Sequence, residues 1–210
     1  MTNSEPIVLD ALVLGGGFGG IHMLHQLREM GLTVVALEAG TGVGGAWYWN
    51  RYPGARCDIE SLVYCYSFSP IIDDEWSWTE RYATQPEIVR YINFVCDRLD
   101  LRKDICFNSR LVKATFDEEA GFWTLHTENG DVYRARHFVS SAGPISEPIW
   151  PDIPGREKFK GEIYHTAKWP QQEPDFRGKR VGVIGTGSSG TQLIPLEIGR
   201  ASCRERVYHP

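Results

Sequence analysis

Cysteine is scarce in this chain and shows no pairing pattern. Five occur in 210 residues, none in C-x-x-C spacing, so neither a zinc ribbon nor a disulfide framework is indicated, and no metal site is assigned. A reducing, cytoplasmic setting is the expectation that follows. Basic residues are outnumbered and unclustered: 22 Lys and Arg stand against 27 Asp and Glu, for a net charge of -5. That balance argues against nucleic acid as a partner. No apolar run approaches the length that crosses a bilayer, so no membrane segment is expected. The first six residues carry an acid and no base, so no secretory leader is expected either. What remains is globular material, 42% hydrophobic and 23% charged, enough for a buried core in one or two domains.

Glycine, by contrast, is concentrated in two turns of the same design. The first is Gly15-x-Gly17-x-x-Gly20 and the second Gly185-x-Gly187-x-x-Gly190. Residues 11–14 form a short apolar run that reads as a buried parallel strand entering the first turn. Ile21, Leu24 and Leu27 then follow helical spacing, with Gly31 as the stop. Residues 33–37 are β-branched and apolar and read as a second strand, closed by Glu38. Strand, glycine turn, helix, strand and terminal acid make one βαβ nucleotide-binding unit. In such a turn Gly15 permits the bend, Gly17 lets the backbone approach a pyrophosphate beside Phe18, and Gly20 allows helix and strand to pack closely. The helix N-terminus favours the phosphates, and Glu38 stands where a carboxylate binds ribose hydroxyls.

Farther along, Thr84 and Glu87 have capping-box spacing, and a helix is expected to about residue 99 with Ile88, Ile92, Val95 and Leu99 on one face. Residues 111–116, 122–127 and 132–139 alternate or are β-rich, and Asn129-Gly130 is a hairpin signal. They read as a small β-meander, at about 105–136, inserted before the sheet resumes at residues 137–141. A Pro-rich link at 148–155 leads to a second unit, with a strand at 180–184 and a helix from about Gly190. The expected fold is α/β, with two dinucleotide-binding domains, the second truncated.

Two further segments carry chemistry. Residues 41–66 are rich in Gly, Trp, Tyr and Arg and lack periodicity, which marks a functional loop. Within it, aromatics beside glycine can wall a flat ring, and Arg56 with Asp58 can hold polar groups near it. The other segment, residues 159–170, reads F-x-G-x-x-x-H-x-x-x-W-P, with His165 at its centre and Trp169-Pro170 at its end. Taken alone, His165 would read as a satisfied structural residue.

The pattern G-x-W-x-x-x-x-Y-P-G-x-x-x-D, running from Gly45 through Trp47 and Tyr52-Pro53-Gly54 to Asp58, followed by that second segment, resembles the Baeyer–Villiger monooxygenases. The resemblance covers nearly all of residues 7–196. Flavin-containing monooxygenases and N-hydroxylases carry a similar segment with less regular Trp-Pro endings. Disulfide reductases are disfavoured: their reactive Cys pair is replaced here by Trp47-Tyr48-Trp49, and Cys57 and Cys65 read as structural thiols. The resemblance implies FAD on Gly15 to Gly20 with Glu38 on its ribose. It places Ala46, Trp47, Tyr48, Trp49, Asp58 and Tyr64 near the flavin, and Val112 near the adenine through its backbone. It implies NADPH on Arg56, Cys57 and Asp58 and on Gly185-Thr186-Gly187-Ser188-Ser189-Gly190-Thr191-Gln192. His165 would couple cofactor binding to domain movement, and Asp58 would support an Arg supplied by a later segment of the family. The implied reaction, that of a full-length parent of which this chain is expected to be an inactive fragment, uses NADPH and dioxygen to insert one oxygen atom beside a ketone carbonyl, giving an ester or lactone. Alternatives are an N- or S-oxidising flavin monooxygenase, or a flavin-binding fragment without turnover. The implied division is an FAD domain at 1–147, a linker at 148–175 and the start of an NADP domain at 176–196.

The last residues read differently. Residues 197–207, EIGRASCRERV, match codon for codon the translation of a common short-read sequencing adapter. Residues 197–210 are therefore expected to be an artefact, with genuine sequence ending near Leu196.

Overall fold

In a computed structural model that describes residues 5–198, the expected βαβ unit forms around an apolar first strand. β1 (Ile7–Leu14) is fully buried at Ala11, Leu12 and Val13. α1 (Phe18–Glu29) follows and buries Gly20, Ile21, Leu24 and Leu27. It ends at Met30, after which Gly31 takes φ +76° and donates to the Arg28 carbonyl. The chain returns as β2 (Val34–Leu37), parallel to β1. α2 (Ala46–Trp49) and α3 (Pro70–Glu75) are short. α4 (Gln85–Arg98) presents Ile88, Tyr91, Ile92, Val95 and Cys96 to the interior with no exposure.

Beyond α4 come β3 (Ile105–Cys106), β4 (Leu111–Asp117), β5 (Phe122–Thr127) and β6 (Val132–Ser140). All six strands form one sheet, in the order β3-β2-β1-β6-β5-β4. β6 therefore serves twice. It pairs antiparallel with β5, and parallel with β1 from Ile7↔Tyr133 to Leu14↔Ser140. The meander is continuous with the central sheet because its third strand is long enough to be the parallel neighbour of β1. A core of Leu12, Leu37, Leu125, Tyr133 and Ala135 spans the shared strands. Phe116, Trp123 and Phe138 extend it as a row of tilted rings 5.1 and 5.3 Å apart.

Contacts group the described residues into two compact units, 5–48 with 89–146, and 49–88 with 147–198. Residues 49–88 thus cluster with the linker and the second glycine turn. In this second unit Tyr52, Ala55, Trp169, Phe176 and Leu193 form a core. α5 (Ser188–Ile198) follows the second turn. The strand expected at 180–184 is reduced to an isolated bridge at Ile184, since a parallel strand forms only with neighbours to accept and donate along both edges. The capping box expected at α4 is also replaced. Thr84 provides its carbonyl to Ile88 N–H, while Glu87 turns away to accept from Thr79 N–H at 2.8 Å. The adapter-like reading of the tail falls almost wholly outside the described residues.

Candidate functional site

The first unit carries one group of candidate residues, built largely from backbone. Gly15 leaves β1 at φ +105° and donates to the Leu37 carbonyl at 2.8 Å. A Cβ on Gly15 would lie 2.5 Å from the Ser141 carbonyl oxygen. A Cβ on Gly20 would lie 1.7 Å from the Gly15 carbonyl oxygen, so no side chain fits between α1 and β1. Gly17 starts the helix from extended geometry, with no side-chain cap and no acid in the first turn. The N-terminus of α1 therefore keeps its positive end free of a side-chain cap and of any acid in its own first turn. Phe18 lies 6.1 Å from the Tyr91 ring.

The aromatic loop reaches this turn through glycine as well. Gly44 N–H donates to the Gly16 carbonyl at 2.9 Å. A Cβ on Gly45 would meet Gly17 Cα at 2.8 Å. Glu38 is 4% exposed and joins the pieces: one carboxylate oxygen accepts from Gly16 N–H at 2.7 Å, the other from Gly40 N–H at 2.6 Å. Each oxygen keeps a further lone pair for a hydroxyl. Tyr48 packs on Gly40 and Gly42, and its hydroxyl accepts from Thr41 N–H at 3.1 Å. Ala46 is exposed and Trp47 half-buried on α2. Val112 is 59% exposed on β4, at the irregularity between Leu111 and Lys113. Gly15, Gly17, Gly20, Glu38 and the loop glycines are thus brought together; Gly45, Ser141 and the Gly16 N–H are partners that the glycine spacing alone does not reveal.

The second unit carries a separate group of candidate residues. Trp49 is 37% exposed. Arg56 points its guanidinium at Glu80, 3.3 Å away. Cys57 is buried, and burial pushes its thiol up. Asp58 is exposed, and Tyr64 is half-buried with its N–H on the Glu60 carbonyl. His165 opens a short 3-10 turn, Thr166–Lys168, by accepting from Ala167 N–H at Nδ1, 3.1 Å away. Its ring meets the edge of Trp150 at 5.1 Å, and Arg156 lies 5.2 Å from that indole. Trp169 is buried in the second core with Nε1 lacking a hydrogen-bond partner. A cleft of about 470 Å³ beside it is lined by Tyr52, Arg56, Gln85 and Glu173 among others.

The second turn repeats the first in backbone geometry. Gly185 has φ +106°, and a Cβ on Gly190 would lie 2.8 Å from the Gly185 carbonyl oxygen. Thr186, Gly187 and Ser188 are exposed and Ser189 half-buried at the start of α5, whose first turn also lacks an acid. Thr191 Oγ1 donates back to the Gly187 carbonyl at 3.2 Å. Gln192 behaves otherwise: its amide is held by Tyr52 and by the backbone of Arg56. Among the described residues no group of His, Cys, Asp and Glu is arranged to hold a metal ion, and no helix is long and apolar enough to cross a membrane.

Comparisons with known proteins place the chain in a family. The model of the flavin-binding monooxygenase-like family matches residues 10–207. A phenazine N-monooxygenase of Lysobacter antibioticus is 49% identical over 92% of this chain and 36% of its own length. An acetone monooxygenase (methyl acetate-forming) of a Gordonia species is 48% identical over 89% of this chain and 35% of its own. A solved steroid monooxygenase bound to NADP superposes with a TM-score of 0.89 at 52% identity, over 96% of this chain and 39% of that one. The chain spans little more than a third of the length of these relatives. With the glycine turns, the fingerprint segment and the sheet order all in place, the chain belongs to the flavin-binding monooxygenase-like family.

Proposed function

We propose that this chain forms the FAD-binding part, and begins the NADPH-binding part, of a monooxygenase that inserts one oxygen atom of dioxygen beside a ketone carbonyl. The observation that carries the reading is the first turn. A helix N-terminus with no side-chain cap and no acid in its first turn, entered through glycines in close backbone contact, suits a pyrophosphate. FAD, when bound, supplies the oxygen chemistry; the protein orients the ring and keeps water away. Gly15, Gly17, Phe18 and Gly20 hold the pyrophosphate, and Glu38 uses its remaining lone pairs on the ribose. Trp47, Tyr48 and Trp49 wall the ring with Ala46, and Tyr64 and Asp58 lie at its polar edge. Val112 meets the adenine through its backbone. Arg56, Cys57 and Asp58, with Thr186, Gly187, Ser188, Ser189, Gly190 and Thr191, take NADPH. His165 couples the linker to nucleotide binding through the turn that its Nδ1 caps.

A second reading rests on the 49%-identical phenazine N-monooxygenase: oxidation at nitrogen or sulfur. A chimera distinguishes the two. Residues 5–196 replace the matching part of the Gordonia acetone monooxygenase, which is supplied with NADPH and either a ketone or a phenazine. Ester formed with ketone-dependent NADPH consumption supports the first reading, and an N-oxide supports the second. A folded, yellow chimera that forms neither product contradicts both.

A further inference from the structure

Gln192 stands on the fourth position after the last residue of the Gly185-Thr186-Gly187-Ser188 stretch, at the start of α5, yet its side chain does not face outward toward a nucleotide. The reason lies in residues 55–57. This segment is a one-bridge strand, with Arg56 paired antiparallel to Thr84. Cys57 N–H donates to the Ala83 carbonyl at 2.9 Å, and Gln85 N–H donates to the Ala55 carbonyl at 2.8 Å. In such a pairing the middle residue turns its own N–H and C=O to the opposite edge. The Arg56 backbone groups therefore look away from Thr84, toward an edge where the sheet has no further strand.

Gln192 fills that edge. Its Nε2 donates to the Arg56 carbonyl at 3.0 Å, and its Oε1 accepts from Arg56 N–H at 3.3 Å. One primary amide thus pairs with both backbone groups of one residue, as the peptide of a neighbouring strand would. The Tyr52 hydroxyl donates to the same Oε1 at 2.8 Å and orients the amide. Tyr52 is itself fixed in the core with Ala55, Trp169 and Leu193. The backbone approaches too: a Cβ on Gly54, at φ +80°, would lie 2.5 Å from the Gln192 carbonyl oxygen. The side chain of Gln192 therefore holds Arg56, and its main chain passes close against Gly54.

We propose that Gln192 is a positioning residue, whose amide acts as a surrogate strand that fixes the Arg56-Cys57-Asp58 segment to the helix of the second glycine turn. The functional meaning rests on the reading above, in which that segment meets the nicotinamide and the flavin edge. Oε1 already accepts two hydrogen bonds and Nε2 gives one, so the amide is committed to the protein. Its purpose is to hold the segment at a set distance from the second turn, so that a nucleotide on that turn finds Arg56 and Asp58 in place.

The test uses the full 210-residue chain labelled with ¹⁵N, without cofactor, so that failure of nucleotide binding leaves it intact. In Gln192→Leu, exchange at the Arg56 amide rises about tenfold, the factor expected for one lost hydrogen bond. Cys57 and Gln85, bonded on the other edge, change less than about twofold. Gln192→Glu gives the second arm and covers a Leu variant that fails to fold. Its neutral acid can donate to the Arg56 carbonyl, and its carboxylate cannot. The Arg56 amide resonance of this variant then titrates with the new carboxyl, native-like at low pH and displaced at high pH, a step that persists in a Glu80→Gln background, where the Glu80 carboxylate on the Arg56 guanidinium is removed, and that Glu80→Gln alone does not show. A residue with a general packing role would produce neither the edge selectivity nor the pH step. An Arg56 amide as protected in folded Gln192→Leu as in the parent, or a Gln192→Glu resonance flat across pH, overturns the proposal.

Discussion

Replacing Gly20 with alanine separates a glycine needed for close packing from one that is incidental. The added Cβ would lie 1.7 Å from the Gly15 carbonyl oxygen and 2.8 Å from its carbonyl carbon. Real Cβ contacts do not fall below 3.0 Å, so α1 and β1 must separate by more than 1 Å. The obstacle is backbone, and it is pinned by the Gly15 to Leu37 hydrogen bond. Overpacking of this kind costs about 1–3 kcal/mol, and a rigid obstacle argues for the upper end. Alanine returns up to about 1 kcal/mol of helix propensity. The net expectation is a loss of about 2 kcal/mol, or roughly 1 M in the urea midpoint at an m-value of about 2 kcal/mol/M. Gly19→Ala is the control, one residue away on the same turn. Its Cβ would meet only the Ser141 side chain at 3.6 Å, so propensity alone should leave it as stable as the parent or more so. Urea unfolding of both variants, followed by far-UV circular dichroism, makes the comparison. Gly20→Ala with a midpoint equal to that of Gly19→Ala would refute the close-packing argument.

Other outcomes follow from the same geometry. Glu38→Gln should lower the melting temperature by roughly 5–15 °C, because a buried backbone N–H of Gly16 or Gly40 then faces an NH₂ group; an unchanged value contradicts the joining role. Asp10 has its carboxyl held below the usual value, first by the side-chain hydrogen bond from Thr33 and then by the Thr33 N–H. Its contribution is present above about pH 4 and is lost as pH falls through the depressed folded value. The Thr33 amide resonance should therefore move as pH falls below about 4 in the parent and stay still in Asp10→Asn. Burial pushes the Cys96 thiol up to about 12, so at pH 8 it should resist alkylation until the chain is unfolded, and rapid labelling of the folded protein would show that α4 does not bury it.

Local chemistry made the first unit legible from sequence. The apolar run of β1, the glycine spacing and the β-branched β2 are each set by near neighbours, and the structure keeps all three. The hairpins of the meander were equally readable, since alternation and Asn129-Gly130 are local signals. What escaped the sequence is long-range. That β6 would be shared between the meander and β1 depends on pairs such as Leu9↔Ala135, 126 positions apart. Glu87 looked like a cap but is 2% exposed and bound to Thr79, because tertiary burial outweighed the local motif. The strand at 180–184 had the right residues but lacked sheet neighbours among the described residues. Gln192 showed only its place after a glycine turn; its pairing with Arg56 spans 136 residues and has no local signature.

The central claim is that the first glycine turn binds a flavin dinucleotide through its pyrophosphate. Titrating FAD into the 210-residue chain, with quenching of flavin fluorescence as the signal, tests it directly. The account predicts saturable binding that ADP displaces and that FMN does not reproduce. A folded chain that leaves FAD fluorescence unchanged, or one that binds FMN as well as FAD, would contradict it.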